Sequence, residues 1–545
     1  MSRTSLRILE PPREIPGPLV PAGMDRRDFL RALAAAGAGA ALAGFLGADA
    51  ALAQTAPGAA FPDGVKCGDP QPDGAVIWTR VPAPPAPARY ARVLWMVAED
   101  PGFTRVVTGA LVLVDAGTGF AVHARVRRLR PDRWYYYRFH LSDGAASPVG
   151  RLRTAPAPDA MPDRLRYAFA SCQQRGVRGI DGRESLYVTH RAIANEGVDF
   201  LMHLGDYIYV SDSFDTTLDR YRRRWRIFHD NPLLQELQAQ VPLVAMFDDG
   251  EFYNGVDRTG DPARLAAGRQ AWFEHMPVQR RPGDLAYRSF SWGRLADVAM
   301  IDVRSYRDPE VPATGSVFGA IDIQDSRIPP GEQMFAPGRT TLGAEQKRWL
   351  EDRLLASRAT WRFVGNPYNM NPWKIEDLDT PEARDADPNF VKNTSVYVSN
   401  EAWDDYQAER RELLEFLARE RISNVVFTSG HTHFYLASEL QPDFDDAASP
   451  TVAFDFVTGS QTADPDPRTR APEFLWRAIE QGFLTANAPY MKYTDLLEQG
   501  FAVVDATPDE CIVSFRAVDT FDPNAAARTI ARFRVRSGSR QLEVL

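Results

Sequence analysis

The hydrophobic pattern of the chain changes character near residue 160. Between residues 61 and 155, short β-branched and aromatic runs such as GAVIWTRV, VVTGALVLV and RWYYYRFHL are separated by Gly, Pro and Asp. Short strands at this spacing are typical of an all-β sandwich. We therefore predict an immunoglobulin- or fibronectin-like sandwich over residues 61–155, followed by a Pro/Ala-rich linker, TAPAPDAMPD.

From residue 163 to residue 545 the pattern alternates between apolar strands and amphipathic helices. RLRYAFA, VDFLMHL, VPLVAMF, WRFVG and NVVFTSG are apolar enough to form buried strands. ESLYVTHRAIANEG and AEQKRWLEDRLLASR repeat apolar residues at helical spacing instead. The alternation predicts a large, layered α/β domain with mostly buried strands. A helical segment is expected within residues 460–500.

Residues 1–53 have the features of an export signal rather than of a folded domain. DRRDFLRA (25–32) carries paired arginines, a run rich in Ala and Gly follows, and ALA (51–53) fits a small-residue cleavage site. The segment resembles a twin-arginine signal, with cleavage expected after Ala53. We therefore expect the twin-arginine machinery to export the protein to the periplasm or the cell exterior. An uncleaved anchor helix is the alternative.

The composition is that of an ordinary globular protein. Hydrophobic residues make up 44% and charged residues 25% of the chain. A net charge of −9 argues against a general nucleic-acid binder, which needs a basic surface. The one basic run, RYRRRWR, is more typical of a solvated helix face. Cys67, Cys172 and Cys511 are too few for a disulfide framework and leave at least one free thiol.

Residue types that bind metals follow the predicted strands. In open α/β sheets, chemistry collects beyond the carboxyl ends of the strands. At those positions the sequence places SCQQ, GDYIY, DDGEFYNG, NPYNMN and HTH. The candidate ligands are Cys172, Asp206, Tyr209, Asp248, Asp249, Asn254, Asn366, Asn369, His431 and His433.

Most of these candidates have a structural alternative. Asp206 could form a turn, Cys172 could be a small buried hydrophobe, and Asp248 could cap a helix. Asn366 and Asn369 lie beside prolines, where asparagine is an ordinary loop residue. The HTH pair is the hardest to explain otherwise. Its two histidines follow a glycine at a strand end, in a chain with only eight histidines.

The donor types indicate which metals would bind. A thiolate, a phenolate and a shared carboxylate suit a trivalent, redox-capable ion such as Fe(III), whereas Asp, Asn and His suit a divalent ion. Two metals held about 3.5–4 Å apart can clamp a phosphate and activate a hydroxide for in-line attack. We predict that Asp206 bridges both ions and that Tyr209 reaches the ferric one.

Taken in order, these motifs resemble the alkaline phosphatase D (PhoD-like) family of metallophosphoesterases. FPDGVKCGDPQPDGAVIWTRV, FASCQ, GDYIYV, IDVRSYRD and WDDYQAERRELL carry the resemblance, which covers nearly the whole chain after the signal. It implies an αββα-layered metallophosphatase domain that binds iron(III) with calcium and hydrolyses phosphomonoesters or phosphodiesters, small molecules or lipids. Carried over to this chain, the iron ligands would be Cys172, Asp206, Tyr209 and His433, and the second-metal ligands Asp206, Asp249 and His431, with Asn366 a weaker candidate.

Two departures from the family pattern affect the expected chemistry. Gly250 stands where the family usually has a histidine, a residue that related enzymes use to bind phosphate and protonate the leaving group. Glu251, Tyr253 or His229 would then have to substitute for it, because loss of a general acid costs about 10²–10⁴-fold in rate. His431 replaces a more usual aspartate, and a nitrogen ligand favours Zn, Mn or Fe(II) over calcium.

The function expected from the sequence is an exported dinuclear-metal phosphoesterase in which a metal-bound hydroxide attacks the phosphate ester. Asp206, Arg304 and Glu251 are its predicted catalytic residues. Arg304 is a candidate phosphate contact through its guanidinium, and the alternative for it is an ion pair with Asp302 or Asp308. A phospholipase-D-like phosphodiesterase is a second possibility for the whole protein. A phosphate- or ligand-binding homologue, weakened by Gly250, is a third.

Overall fold

The computed structural model describes residues 13–16, 31, 60–177, 184–210, 216–317, 321–387, 394–398, 402–446, 448–463 and 472–545. The predicted signal, residues 1–53, therefore lies outside the described residues except for 13–16 and 31. Within the described ranges, no helix has both the length and the apolar character needed to cross a membrane. The chain forms two units. The N-terminal unit comprises Met1–Ala157, Leu218–Val244 and Gln270–Gln279, and the C-terminal unit comprises Pro158–Thr217, Ala245–Arg269 and Arg280–Leu545.

The elements are numbered in chain order over the described residues. The strands are β1 (Arg13–Pro16), β2 (Val65–Gln71), β3 (Gly74–Arg80), β4 (Ala91–Ala98), β5 (Val106–Val114), β6 (Ala121–Val126), β7 (Trp134–Leu141), β8 (Gly150–Arg153), β9 (Leu165–Ala170), β10 (Phe200–His203), β11 (Leu243–Ala245), β12 (Arg288–Trp292), β13 (Ala296–Met300), β14 (Gly315–Val317), β15 (Ile321–Asp325), β16 (Trp361–Tyr368), β17 (Lys374–Asp377), β18 (Ser395–Val398), β19 (Val425–Gly430), β20 (Tyr435–Leu440), β21 (Ala453–Val457), β22 (Met491–Asp495), β23 (Gly500–Ala506), β24 (Glu510–Ala517), β25 (Arg528–Arg536) and β26 (Glu543–Val544). The α-helices are α1 (Val188–Ala194), α2 (Leu218–His229), α3 (Pro232–Gln240), α4 (Pro262–His275), α5 (Gly343–Ala356), α6 (Pro381–Ala386), α7 (Gln407–Arg419) and α8 (Glu473–Ala486).

The N-terminal unit is built mainly from antiparallel strands in two sheets. One sheet has the order β1-β5-β4-β7-β8. In the other, β2, β3 and β6 lie side by side, and β11 pairs with β2 in parallel. Residues from both sheets, among them Val65, Ile77, Val93 and Val112, meet in one apolar core. A strand-rich N-terminal domain is therefore present as predicted, and its immunoglobulin-like character stays a prediction.

The basic run RYRRRWR lies on α2, which belongs to the N-terminal unit. Tyr221 and Trp225 on this helix are buried. Arg220, Arg223 and Arg226 on the same helix are exposed, and Arg222, one turn from Trp225, forms an ion pair with Glu274 at 2.7 Å. The arginines thus occupy the polar side of an amphipathic helix, which is how the sequence pattern was interpreted.

The C-terminal unit contains two large mixed sheets and a small one. The strand orders are β26-β25-β24-β23-β9-β10, β12-β13-β16-β19-β21-β20-β22 and β14-β15-β18-β17. Strands β9 and β10 are parallel, as are β13, β16, β19 and β21. Aromatic rings join the two large sheets, since Tyr167 packs edge-on against Phe363 at 5.3 Å and Phe200 against Phe290 at 5.7 Å.

Helices cover the second large sheet on the face turned away from these rings. Val364 follows Phe363 in β16 and therefore points to the opposite face of the sheet. There it joins one apolar cluster with Leu350 of α5 and Leu414 of α7. The large sheet-rich domain predicted from the alternating pattern is confirmed in this coarse form, and the αββα layering stays a prediction.

The strand ends of the C-terminal unit are tied together by backbone hydrogen bonds. The segment after β9 lies along the segment after β10, where the Cys172 amide donates to the Gly205 carbonyl at 3.3 Å. The Gln173 amide donates to the Asp206 carbonyl at 3.0 Å. Polar residues that follow separate strands are thereby brought within reach of one another.

Candidate metal centre

The structure brings together the four residues predicted to bind iron. Oδ2 of Asp206 accepts a hydrogen bond from the Cys172 thiol at 3.3 Å and another from the Tyr209 hydroxyl at 3.1 Å. The same hydroxyl lies 3.2 Å from Nε2 of His433. Possible ligand atoms of Cys172, Asp206 and His433 all lie within 4.8 Å of one another.

A second group of possible ligands adjoins the first. Atoms of Asp206, Asp248, Asp249 and His431 also lie within 4.8 Å of one another. Asp206 belongs to both groups, which is the arrangement that a carboxylate bridging two metals requires. Asp248 is the member that the sequence analysis left without an assigned metal.

Four of these residues have a strained backbone. The φ angles of Cys172, Asp206, His431 and His433 are 60°, 55°, 69° and 65°. This left-handed region is uncommon for any residue other than glycine, and strained positions of this kind concentrate at functional sites. No sequence motif shows this property.

Burial and crowded negative charge shift the acidities at the centre. Burial raises the pKa of Asp206 well above its usual range, and the charges of Asp249 and Asp248 raise it further. Burial, followed by the charge of Asp206, also raises the pKa values of Cys172 and Tyr209. Bound cations would favour the ionised forms of all three groups. The thiol, phenol, carboxylate and imidazole donors therefore fit an iron(III) ion beside a divalent ion.

Arg304 pairs with a different carboxylate from those the sequence analysis considered. Its buried guanidinium forms an ion pair through Nε with Oδ1 of Asp248, and Nη2 lies 3.8 Å from Oδ2 of Asp249. Asp302 instead accepts a hydrogen bond from the Arg304 backbone amide at 3.1 Å, and Asp308 pairs with another arginine. Arg304 thus takes part in an ion pair, the alternative left open from the sequence, and the described pairs join it to the ligand carboxylates because the chain after β13 carries it there.

His431 is held by Asp248 on the side of its Nδ1 atom. Oδ2 of Asp248 lies 2.7 Å from that nitrogen and forms an ion pair with it, although the contact does not have hydrogen-bond geometry. Burial is the strongest influence on His431 and lowers its pKa, but the charge and close contact of Asp248 together with the charge of Asp249 raise the pKa to about 9. Arg304 also lies 3.3 Å from Nδ1. One arginine, one aspartate and one histidine thus form a compact charged cluster beside Asp249.

Glu251 faces backbone amides. Its carboxylate accepts hydrogen bonds from the amides of Asp206 at 3.1 Å, Tyr207 at 2.6 Å and Asp248 at 2.9 Å. It belongs to neither group of possible ligands. Burial raises the pKa of Glu251 to about 8, although the three amides oppose the shift.

The remaining predicted site residues have partners outside the two groups. Oδ1 of Asn366, the atom that would bind a metal, accepts a hydrogen bond from the Trp403 indole at 3.3 Å. Tyr253 packs against the guanidinium of Arg264 at 4.1 Å. His229 belongs to the N-terminal unit, where its Nε2 lies 2.9 Å from Nζ of a buried lysine.

Neighbouring atoms leave no room for a side chain at Gly250. A Cβ atom at this position would lie 2.6 Å from the carbonyl oxygen of Ile208 and 2.7 Å from Oδ1 of Asp206. The Gly250 amide donates to that same Oδ1 at 2.9 Å. The backbone of residue 250 thus contacts the shared carboxylate directly.

Comparison with known proteins identifies the family. The profile of the PhoD-like phosphatase family matches residues 167–515, and the profile of the PhoD-like phosphatase N-terminal domain matches residues 47–156. Alkaline phosphatase D of Bacillus subtilis (strain 168) is 30% identical over 509 residues, which cover 87% of this chain and 80% of that protein. The chain belongs to the PhoD-like phosphatase family.

Solved structures show that the PhoD-like fold is also shared. A structure of PhoD superposes with a TM-score of 0.74 at 28% identity and covers 89% of this chain and 92% of that one. The purple acid phosphatase PPD1 from yellow lupin (Lupinus luteus) seeds has a TM-score of 0.52 at 13% identity, covering 87% and 75%, and shows likeness of fold alone. The resemblance drawn from the motifs, and its enzyme class of phosphoric ester hydrolase, are confirmed.

Proposed function

We propose that this PhoD-like protein is an exported phosphoesterase that holds iron(III) and a divalent ion and hydrolyses phosphodiesters at least as well as monoesters. The observation that carries the proposal is the position of Asp206 in both ligand groups. A carboxylate shared in this way is what a dinuclear hydrolytic site requires.

The ligand residues divide between the two metals. Cys172, Tyr209 and His433 would hold the iron together with Asp206, and Asp249 and His431 would hold the second ion together with Asp206. When bound, such a pair of ions supplies an activated water and a clamp on the phosphate. The imidazole of His431 favours Zn, Mn or Fe(II) at the second position over calcium.

The surrounding residues set the electrostatics and the choice of leaving group. Arg304 is paired with Asp248, so it offsets the negative charge of the ligand carboxylates rather than standing free to grip a phosphate. Gly250 offers no side chain to protonate a leaving group. Esters with acidic leaving groups, such as phenols, need that proton least and are the expected substrates.

Three further parts of the proposal concern the fold and the location of the protein. Export is supported by the twin-arginine-like segment of residues 1–53. A sandwich in the N-terminal unit is supported by two sheets that contribute to one core. The αββα layering is supported by helices that pack on one of two facing sheets.

The test combines elemental analysis, visible absorption and turnover of the protein purified from its native host. We expect about one iron per chain, a second metal, and a charge-transfer band from bound phenolate or thiolate. Turnover of bis(4-nitrophenyl) phosphate should equal or exceed that of 4-nitrophenyl phosphate. A preference of several hundred-fold for the monoester would contradict the diesterase assignment. Bound metals with no turnover of either ester would favour the binding homologue.

A further inference from the structure

One buried carboxylate joins two segments that carry metal ligands. Oε1 of Glu251 accepts from the Tyr207 amide at 2.6 Å, and Oε2 accepts from the amides of Asp206 at 3.1 Å and Asp248 at 2.9 Å. Asp206 and Tyr207 follow β10, whereas Asp248 follows β11. A single side chain therefore binds the backbone of both segments.

The same two segments are also joined through residue 250. The Gly250 amide donates to Oδ1 of Asp206 at 2.9 Å, and the Val210 amide donates to the Gly250 carbonyl at 2.9 Å. Asp206 is thus held at its backbone amide by Glu251 and at its carboxylate by Gly250. Its φ of 55° is a conformation that the chain keeps only where surrounding contacts impose it.

We propose that Glu251 is a positioning residue for the metal centre. Its carboxyl group fixes the spacing between Asp206, which would be shared by both metals, and the Asp248–Asp249 pair, in which Asp249 would hold the second metal. The inference rests on the proposed function, in which Asp206 is the shared ligand. Three amide hydrogen bonds converge on one buried carboxyl group, which suits a residue that must hold strained backbone in place.

The geometry argues against the alternative role of general acid. An acid has to present its proton within about 2.6–3.2 Å of the leaving-group oxygen. Both oxygens of Glu251 instead point at backbone amides, and the side chain is completely buried. In Glu251→Gln, the new NH2 group faces a backbone N–H, and two donors cannot hydrogen-bond to each other. The variant should therefore shift the ligand segments, although glutamine fills the same volume as glutamate.

Glu409 provides a matched control. It is also a buried glutamate that accepts from successive backbone amides, those of Thr341 at 2.6 Å and Leu342 at 3.2 Å. It belongs to neither group of possible metal ligands. Glu409→Gln therefore removes the same kind of interaction from the same unit of the protein without touching a ligand segment.

The experiment compares full-length wild type, Glu251→Gln and Glu409→Gln in metal content, metal affinity, charge-transfer band and turnover. The substrates are aryl phosphodiesters whose phenols span a range of pKa. We expect Glu251→Gln to lower second-metal affinity by about 10–100-fold, the effect typical of groups that orient ligands. We also expect it to shift the charge-transfer band. Turnover should fall by the same factor for all of the aryl diesters, whatever the pKa of the phenol that leaves. Glu409→Gln should leave metals and band as in wild type.

Three results would overturn the assignment of Glu251. One is normal metal binding with a loss of turnover that grows with the pKa of the phenol, the signature of a general acid. Another is an unchanged Glu251→Gln protein, and the third is equal metal loss in Glu409→Gln. If Glu251→Gln does not fold, Glu251→Asp is the second variant, because it keeps a carboxyl group at this position. A turnover in Glu251→Asp that falls more steeply with the pKa of the phenol than in wild type would also overturn the proposal. Wild type without bound metals would overturn the proposed function itself.

Discussion

Tyr209 is the single residue whose role can be observed most directly. Its hydroxyl contacts both Asp206 and His433. Tyr209→Phe should remove any phenolate-to-iron absorption while iron stays bound, because Cys172, Asp206 and His433 remain. Tyr207→Phe is the control, since Tyr207 is a buried tyrosine of the same segment whose ring packs against that of His203 at 4.9 Å. An unchanged visible spectrum in Tyr209→Phe would contradict its place among the iron ligands.

Gly250 gives a second test at the scale of one residue. Gly250→His would appear to restore the family's histidine, but its Cβ would press on Ile208 and Asp206. We expect a loss of about 1–3 kcal/mol in the free energy of unfolding and no gain in turnover of alkyl esters. Gly482→His is the control, because nothing lies within 4 Å of a Cβ there. A variant with wild-type stability and faster alkyl-ester turnover would contradict this expectation.

At the scale of elements, the centre depends on how closely the segments after β10 and β11 approach each other. Gly205 has a φ of +110°, and a Cβ there would lie 2.3 Å from Cβ of Asp248 and 2.6 Å from its backbone nitrogen. Only a residue without a side chain allows these two segments to touch. The segments that carry Asp206 and Asp248 therefore meet because position 205 is a glycine.

Gly205→Ala and Gly197→Ala separate backbone strain from this close approach. Both glycines have positive φ, but nothing lies within 4 Å of a Cβ at Gly197, where φ is +67°. Gly197→Ala should lose about 1–3 kcal/mol of unfolding free energy through strain alone. Gly205→Ala should lose a further ~1–3 kcal/mol from the clash and bind less of both metals. Denaturant unfolding and elemental analysis measure the two effects, and equal behaviour of the variants would refute the argument.

Sequence reasoning located the strand ends but not the contacts between them. Cys172, Asp206 and His431 could be named as candidates because each follows an apolar strand and chemistry collects at strand ends. The pairing of Arg304 with Asp248 and the three amides on Glu251 could not be found in this way. They depend on which segments approach each other and on the left-handed φ at Asp206, neither of which leaves a periodic signal in the sequence.

At the scale of the whole molecule, buried neutral histidines make stability depend on pH. Burial lowers the pKa of His190 to about 3 and that of His229 to about 4. In the unfolded chain both take up a proton near pH 6.5, so the unfolded state binds more protons than the folded state below that pH. The two histidines therefore contribute their full share to the free energy of unfolding above pH 6.5, and this contribution is lost as the pH falls towards 4.

The expected loss is about 2 kcal/mol for each histidine between pH 7.5 and pH 5. Because His190 belongs to the C-terminal unit and His229 to the N-terminal unit, both units should weaken. Urea unfolding at the two pH values, followed by tryptophan fluorescence, measures the change. His229→Asn should flatten part of the dependence, and a midpoint that does not move with pH would contradict the assignment of neutral histidines.

The N-terminal unit gathers three separate stretches of chain, and this affects the order in which the protein can fold. Trp78, on β3, donates its indole N–H to the carbonyl of Glu274 at 2.8 Å, and its ring lies 5.7 Å from that of His229. His229 is synthesised well after β9 and β10, and the complete set of partners exists only once synthesis has passed Glu274. By then β9 and β10 of the other unit have already left the ribosome. The N-terminal unit therefore cannot finish folding before part of the other unit has been synthesised. A fragment that ends at Ala157 would lack the later stretches of chain that complete the N-terminal unit.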